Sequence, residues 1–164
     1  MLNPYQFVNL ILEPSLRACN LYSIDAMYLM TCTALVESKL THLKQLPEGL
    51  AVGLLPIEPE DYKLIYKYLT AEQMLRSTIL IYCERSYLPA NFSNVMSDLA
   101  LNVLLARVKY LMSKEVIPSY KDSHAQAQYY HKYYNYNKDC SKIDEFIKQA
   151  ESIIGQIKHD ESAA

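Results

Sequence analysis

Apolar residues recur every three or four positions over long stretches of this sequence, which is the spacing of one face of an α-helix. The clearest run begins after Ser23, a residue type that often caps the start of a helix. Its periodic positions are Ile24, Met27, Tyr28, Thr31, Ala34 and Leu35. Basic side chains suit the carboxyl end of a helix, so we expect this helix to end near His42 to Lys44.

The two ends of the chain also have helical patterns. An opening helix is predicted from Pro4 towards Cys19. Pro14 should force a kink or a restart within it, because proline lacks the amide hydrogen that helix bonding requires. The last helix is predicted over residues 141–157, and the polar tail at 158–164 should fray.

Several shorter helices are predicted between these ends. Pro59 precedes two acidic residues, which is typical of a first helical turn, and the helix should end at about Leu69. Thr70 and Gln73 form a capping-box pattern that starts the next helix. Further helices are expected over residues 93–114 and 123–134.

The stretch from Leu46 to Pro59 interrupts the helical pattern, because it contains two glycines and three prolines. These residues favour turns, so we expect a short irregular loop or hairpin around residues 46–58, although the stretch is unusually apolar for a loop. The expected fold class is therefore all-α. Residues 1–157 should form a single helical domain, since no linker or internal repeat divides them.

The composition is that of a soluble globular domain. The 164 residues are 51% hydrophobic, which is enough for one continuous core. A formal net charge of -2 provides no basic surface for nucleic acid, so no nucleic-acid partner is expected. The chain has neither a signal-peptide pattern nor an apolar run of about 18 residues, so we expect cytoplasmic synthesis and no membrane span.

The cysteines and histidines give no sign of a cofactor or metal site. The four cysteines, Cys19, Cys32, Cys83 and Cys140, are far apart, and no histidine is spaced to complete a zinc site. We expect free thiols, mostly in the core. No phosphate-binding loop, dinucleotide fingerprint or serine-nucleophile elbow is present, so no cofactor is expected.

Glu37 is the first candidate for chemistry, because it lies near the end of the clearest helix and just before the glycine-bearing loop. It shares a helical stripe with Met30, Thr33 and Leu40. A carboxyl group among apolar neighbours can keep its proton long enough to act as a general acid. A surface glutamate that merely follows a core stripe would give the same pattern.

Several segments resemble, in the same order, those of the lysozyme-like proteins of bacteriophages, which are relatives of lytic transglycosylases. In that family a helix ending in Glu-Ser precedes a segment of the form G-x-x-G-(I/L)-F-Q-M-E-P. Here Glu37-Ser38 matches the dipeptide, and the loop is Gly53-Leu54-Leu55-Pro56-Ile57-Glu58-Pro59. Two later segments resemble the family's A-R-V-H-Y and Y-W-K-x-Y-Y-N stretches, namely Ala106-Arg107-Val108-Lys109-Tyr110 and Tyr130-His131-Lys132-Tyr133-Tyr134-Asn135.

The resemblance implies a lysozyme-like fold and a glycan-cleaving site in which Glu37 is the general acid/base. In lytic transglycosylases one glutamate serves as acid and then as base, which suits a single well-placed glutamate. Glu58 is the best second carboxylate, although its position beside the start of the helix at Pro59 is the plainer explanation. The residues implied to bind substrate are Gln45, Gly53, Glu58, Tyr110, Tyr130 and Tyr134.

Two positions depart from the family pattern. Pro56 replaces the glutamine of the loop, and it has neither a side-chain amide nor a backbone N–H to offer a sugar. Lys109 replaces the histidine that follows Arg-Val in the family. Pro56 therefore argues for reduced or lost activity, and a non-catalytic structural protein of the tail or neck is the alternative function.

The resemblance also implies a location and partners. A virion protein that opens peptidoglycan locally during DNA entry would be made in the host cytoplasm and carried in the particle. Its partners would be other tail, neck or baseplate proteins. The segment from Tyr129 to Tyr136, or the neighbouring last helix, is the expected docking surface, because tyrosine is enriched at interfaces. A partly buried helix whose tyrosine hydroxyls reach water would give the same cluster. A helical binding module unrelated to phages is a third class of function.

Overall fold

A computed structural model describes residues 2–44, 49–88, 92–136 and 138–162 of the chain. The architecture is all-α, as the sequence predicts. The helices are α1 (Pro4–Phe7), α2 (Glu13–Ala18), α3 (Ile24–Glu37), α4 (Pro59–Ala71), α5 (Gln73–Tyr82), α6 (Leu99–Leu111), α7 (Ser123–Tyr133) and α8 (Ser141–Ser162). A π-helical turn (Val8–Leu12) lies between α1 and α2, and a 3-10 helix (Phe92–Met96) precedes α6.

The opening helix changes its hydrogen bonding just before Pro14. The amide of Glu13 donates to the carbonyl of Val8, which is the wider spacing of a π-helical turn. Because Pro14 has no amide hydrogen for the ordinary helical bond, the wider turn before it is a common way to adjust the backbone. The expected disturbance at Pro14 is therefore confirmed.

Helix α3 begins at the predicted cap, where the Ser23 hydroxyl oxygen accepts a hydrogen bond from the amide of Ala26 at 3.0 Å. It ends at Glu37, so the predicted end near His42 to Lys44 was wrong. Lys39 and Leu40 have φ angles of 53° and 49°, in the left-handed region, and these reverse the chain. Leu40 is buried, so its contact with the core favours this early turn over further helix.

Other helix ends also differ from the prediction. The capping box expected at Thr70 is absent. The Thr70 hydroxyl donates to the carbonyl of Tyr66, and the cap residue of α5 is Glu72. The helix expected from residue 93 begins as α6 at Leu99, where the Asp98 carboxylate accepts from the amide of Leu101 at 2.9 Å. Helix α8 continues to Ser162, beyond the predicted end at 157.

The described part of the predicted loop, residues 49–58, forms a tight turn against the core, and residues 46–48 lie outside the described residues. Val52 and Ile57 exchange two backbone hydrogen bonds of 3.0 Å, so a short hairpin-like turn forms without an extended strand. Gly53 has a φ of +97°, and a Cβ there would lie 2.0 Å from Asn102 Nδ2. The turn is apolar because its residues are buried, including Leu54, Leu55 and Ile57.

Asn102 of α6 holds this turn in place. Its Oδ1 accepts from the amide of Leu55 at 3.0 Å, and its Nδ2 donates to the carbonyl of Leu55 at 2.9 Å. The side chain of Asn102 is fully buried, so it satisfies two backbone groups that water cannot reach. One residue of α6 thereby fixes the position of the loop.

Helix α6 lies in the centre of a continuous hydrophobic core. Helix α8 packs on α7 and α3, and α6 contacts α2, α4 and the π-helical turn. None of the helices in the described ranges is both long and apolar enough to span a membrane.

We expect Asn102→Ala to lower the free energy of unfolding by about 2–4 kcal/mol, because both backbone groups of Leu55 would lose their partner in a buried site. Urea unfolding followed by circular dichroism measures this change. The matched control is Asn9→Ala, since the Asn9 amide donates to the Tyr5 carbonyl at an exposed position. Equal changes in the two variants would contradict the proposed role of Asn102.

The thiols provide a second prediction. All four cysteines are free, as expected, and burial raises the pKa of Cys19 to about 11 and the pKa of Cys32 to about 12. A thiol whose pKa is higher in the folded state binds its proton more tightly there, so its contribution to stability is complete below about pH 9 and is lost as the pH rises. The urea midpoint should therefore fall between pH 8.5 and 10.5 by a smaller amount in Cys32→Ala than in the wild type. Equal falls would exclude a contribution from Cys32.

Candidate functional site

A polar cleft of about 500 Å³ lies between the end of α3, the glycine-bearing turn and the chain before α8. Glu37 and Ser38 form one side, and the turn contributes Ala51, Gly53 and Pro56. The remaining lining residues come from the segment after α3, the start of α4, the buried face of α6 and residues 134–142: His42, Lys44, Glu58, Asp61, Lys109, Tyr134, Asn135, Lys138, Asp139 and Lys142.

Glu37 is the last residue of α3 and lines the cleft, at the place expected from the sequence. Its side chain is only 12% exposed. The Tyr130 hydroxyl donates to Oε1, and Lys142 Nζ donates to Oε2 at 2.5 Å. Both oxygens of the Glu37 carboxylate therefore accept hydrogen bonds from polar side chains. The expectation that the carboxyl group has apolar neighbours was wrong. The reason is that α7 and α8 both pack on this end of α3.

Tyr130 acts as a fixed donor to Glu37. Its ring is fully buried and stacks on Phe146 of α8, with ring centroids 5.1 Å apart. Burial and the adjacent Glu37 carboxylate raise the pKa of Tyr130. The hydroxyl therefore stays protonated and donates a hydrogen bond to Glu37. This contact orients the Glu37 carboxylate against the cleft wall.

Glu58 also lines the cleft, as the cap residue of α4. Its carboxylate accepts from Lys138 Nζ at 2.7 Å, and both side chains are about half exposed. Such a position beside a helix start is favourable for a negative charge. Glu58 is thus explained by the helix it begins and by its ion pair with Lys138.

A buried ion pair forms the floor of the cleft. Lys109 Nζ donates to Asp61 Oδ2 at 2.8 Å and to the Tyr134 carbonyl at 3.0 Å, and both charged side chains are almost fully buried. The Tyr136 hydroxyl donates to Asp61 Oδ1 at 2.7 Å. Burial lowers the pKa of Lys109, and the Asp61 carboxylate opposes that effect. Hydrogen bonds to both groups offset the cost of removing the two charges from water.

Lys109 also faces aromatic rings. Its Nζ lies 4.0 Å from the ring centroid of Tyr134 and 4.5 Å from that of Tyr136. A cation over the face of an aromatic ring gains further stabilisation, most of all where water is excluded. Lys109 is therefore a structural cation in this chain.

The residues predicted to bind substrate fall into different environments. Gly53, Glu58 and Tyr134 line the cleft, and the Tyr134 hydroxyl donates to the carbonyl of Pro56 at 3.0 Å. Tyr110 is fully buried, its hydroxyl shares a 2.7 Å hydrogen bond with Thr33, and it does not line this cleft. Tyr130 is also fully buried, and it contacts Glu37 instead. Gln45 lies outside the described residues.

The expectation that residues 129–136 form a docking surface was wrong for most of the segment. Tyr129, Tyr130 and Tyr134 are at most 6% exposed, because α7 packs against α8 and α3 and the tyrosine rings of this segment contact one another. Tyr136 remains 43% exposed, but its hydroxyl is bound to Asp61. These tyrosines belong to the core and to the cleft wall of the chain itself.

Four charged cleft residues were missed by the sequence analysis: Asp61, Lys138, Asp139 and Lys142. Only Asp61 had a local signal, since it lies in the acidic first turn after Pro59. Lys142 is 105 positions from Glu37, and nothing in the local pattern links the two. A lysine at the start of an amphipathic helix is ordinarily interpreted as a solvated residue.

The chemistry of the cleft is that of paired charges. Each of the carboxylates of Glu37, Glu58 and Asp61 has a lysine partner, and Asp139 accepts two hydrogen bonds from Ser141. In the described ranges, no group of three or more His, Cys, Asp and Glu side chains could hold a metal ion. Proton transfer by Glu37, hydrogen bonding to a polar ligand and ionic binding by the lysines remain as possible chemistry.

We expect Lys109→Met to reduce the free energy of unfolding by about 3–5 kcal/mol, because Asp61 would become an uncompensated buried charge. The double variant Lys109→Met with Asp61→Asn should recover much of that loss, since it removes the unpaired carboxylate. Chemical denaturation measures both values. Lys63→Met is the matched control, because Lys63 pairs with Glu60 at the surface and should contribute less than about 1 kcal/mol. A double variant no more stable than Lys109→Met would contradict this explanation.

Comparisons with known proteins provide no relative from which a function could be assigned to the cleft. No protein-family profile, curated protein or solved structure matches the chain significantly. The likeness to phage lysozyme-like proteins therefore rests on the sequence segments alone, and the function of the cleft must be argued from its own residues.

Proposed function

We propose that this chain is a lysozyme-like protein of a phage virion, and that its cleft cleaves peptidoglycan strands with Glu37 as the general acid/base. The observation that carries the proposal is the position of Glu37: a mostly buried carboxylate at the end of a helix, on the wall of a polar cleft. The glycine-bearing turn borders the same cleft. A volume of about 500 Å³ is in the range of ligand-binding clefts.

In this proposal Lys142 leaves Glu37 when a glycan enters, and the freed carboxylate takes up a proton from solvent. Glu37 gives that proton to the glycosidic oxygen, and the bond from this oxygen to the sugar carbon breaks. Glu37 next takes a proton, either from a hydroxyl of the same sugar, which closes an anhydro ring, or from an attacking water. Tyr130 holds one carboxylate oxygen throughout. Lys142 holds the other only before the glycan enters, and its 25% exposure lets it turn towards water at that point.

The proposal for a virion component rests on the sequence resemblance. Such a protein would act during DNA entry and contact other proteins of the tail, neck or baseplate. The all-α fold is compatible with this location but is shared by many unrelated proteins.

A catalytically degenerate structural protein of the tail or neck is the second candidate. Two observations favour it. Lys142 occupies one oxygen of Glu37, and the carbonyl of Pro56 is already bound by the Tyr134 hydroxyl. In this candidate Glu37 serves to join α3 to α7 and α8, and the cleft no longer needs to admit a glycan.

We expect Glu37→Gln to reduce glycan cleavage by at least about 100-fold, because an amide cannot donate and accept the catalytic proton. Purified peptidoglycan is incubated with each protein, and the soluble products are identified by mass spectrometry. Anhydro ends indicate a transglycosylase, and reducing ends indicate a hydrolase. The absence of products from the wild type would contradict the enzymatic proposal and favour the structural candidate.

The matched control is Lys142→Met, which breaks the same ion pair but keeps the acid. Both substitutions should lower stability, because Glu37→Gln leaves one of two converging donors without an acceptor. Only Glu37→Gln should abolish cleavage. Glu58→Gln should retain cleavage if one glutamate suffices. Loss of cleavage in this variant would indicate a mechanism with two carboxylates. Equal activities of the wild type and Glu37→Gln would exclude Glu37 from the chemistry.

A further inference from the structure

A second cavity, of about 330 Å³, lies beside the end of α6 and the start of α3. Arg107 and Lys114 are the basic residues of its lining, and Leu111, Val116 and Ile117 are apolar. None of these residues lines the first cleft. The cavity is therefore a separate site, and its interpretation does not depend on the function of Glu37.

Arg107 is the central residue of this cavity, because its charge is only partly satisfied. The side chain is partly buried, and its Nε donates to the carbonyl of Leu21 at 3.3 Å. Among the described residues, no carboxylate forms an ion pair with the guanidinium, although it carries four further N–H groups. Burial lowers the pKa of Arg107, and the neighbours that oppose this effect are tyrosines rather than carboxylates.

The acidic residues of the lining do not serve as its partners. Asp25 uses Oδ1 to accept the amide of Tyr120 at 2.8 Å, which fixes this carboxylate to the chain before α7. Glu115 is exposed. A partly buried guanidinium that opens onto a cavity without a carboxylate partner is a common arrangement for binding an anion.

The rest of the lining indicates which anion would fit. Lys114 is exposed at the turn that ends α6, where it adds a second positive charge. Val116 is 90% exposed, and with Leu111 and Ile117 it offers an apolar surface beside the charges. A volume of about 330 Å³ suits a small molecule and not a polymer.

We propose that this cavity binds a small organic carboxylate with an apolar substituent. The guanidinium of Arg107 binds the carboxylate oxygens, Lys114 attracts the anion from solvent, and the substituent packs on Leu111, Val116 and Ile117. The planar fork of arginine matches the planar carboxylate, so Lys in its place is a poorer partner. The bound carboxylate forms the ion pair that Arg107 does not make with any described residue.

Isovalerate is the probe, because it joins a carboxylate to a branched apolar group. Titration of the full chain, followed by amide chemical shifts, should give saturable changes in residues 107–117. The neutral amide isovaleramide should bind at least about tenfold more weakly, since it lacks the charge. Inorganic phosphate should also bind more weakly, because it gains nothing from the apolar wall. Tighter binding of phosphate, or no saturable change with isovalerate, would overturn the proposal.

Variants assign the binding to Arg107. We expect Arg107→Met to weaken isovalerate binding at least about tenfold and Arg107→Lys to weaken it by less. Arg76→Met is the matched control, because Arg76 lies over the ring of Tyr66 on the α4 and α5 side, and it should leave binding unchanged. If Arg107→Met fails to fold, Val116→Asp replaces it, since this exposed position tolerates a charge that should repel the probe. Undiminished binding in the variant used would refute the assignment.

Discussion

The buried ion pair of Lys109 and Asp61 is the interaction on which the cleft depends most. It joins α4, α6 and the chain after α7, because Lys109 also donates to the Tyr134 carbonyl. Two charges in the core are tolerated only when hydrogen bonds satisfy them, and Tyr136 completes that set on Asp61. The pair therefore links the start of α4 to α6 and to Tyr134, and Asp61, Lys109 and Tyr134 all line the cleft.

The same α6 segment separates the two cavities. Lys109 lines the first cleft, where Asp61 neutralises its charge. Arg107, two positions earlier, lines the second cavity and has no carboxylate partner among the described residues. Residues two apart on a helix face different directions, so one short segment can serve two sites. The contrast explains why we assign a structural role to Lys109 and ligand binding to Arg107.

The ion pairs of Glu37, Glu58 and Asp61 in the first cleft have a functional meaning under either proposal. An enzyme would have to release Lys142 from Glu37 when substrate binds, and the energy would come from contacts with the glycan. A structural protein would keep the contact permanently, because it joins α3 to α8. The same hydrogen bonds therefore support a closed resting site or a permanent link between helices.

The sequence by itself determined the all-α architecture, the Ser23 cap of α3 and the position of Glu37 before a glycine-bearing turn. These features could be predicted because periodicity, caps and turn residues act over a few neighbouring positions. The tertiary structure alone decided where α3 stops, since burial of Leu40 favours the left-handed turn. It also decided that Tyr110 is a core residue and that Lys142 reaches Glu37 across 105 positions. Such contacts arise from the packing of distant helices, and a local pattern holds no information about which side chains that packing brings together.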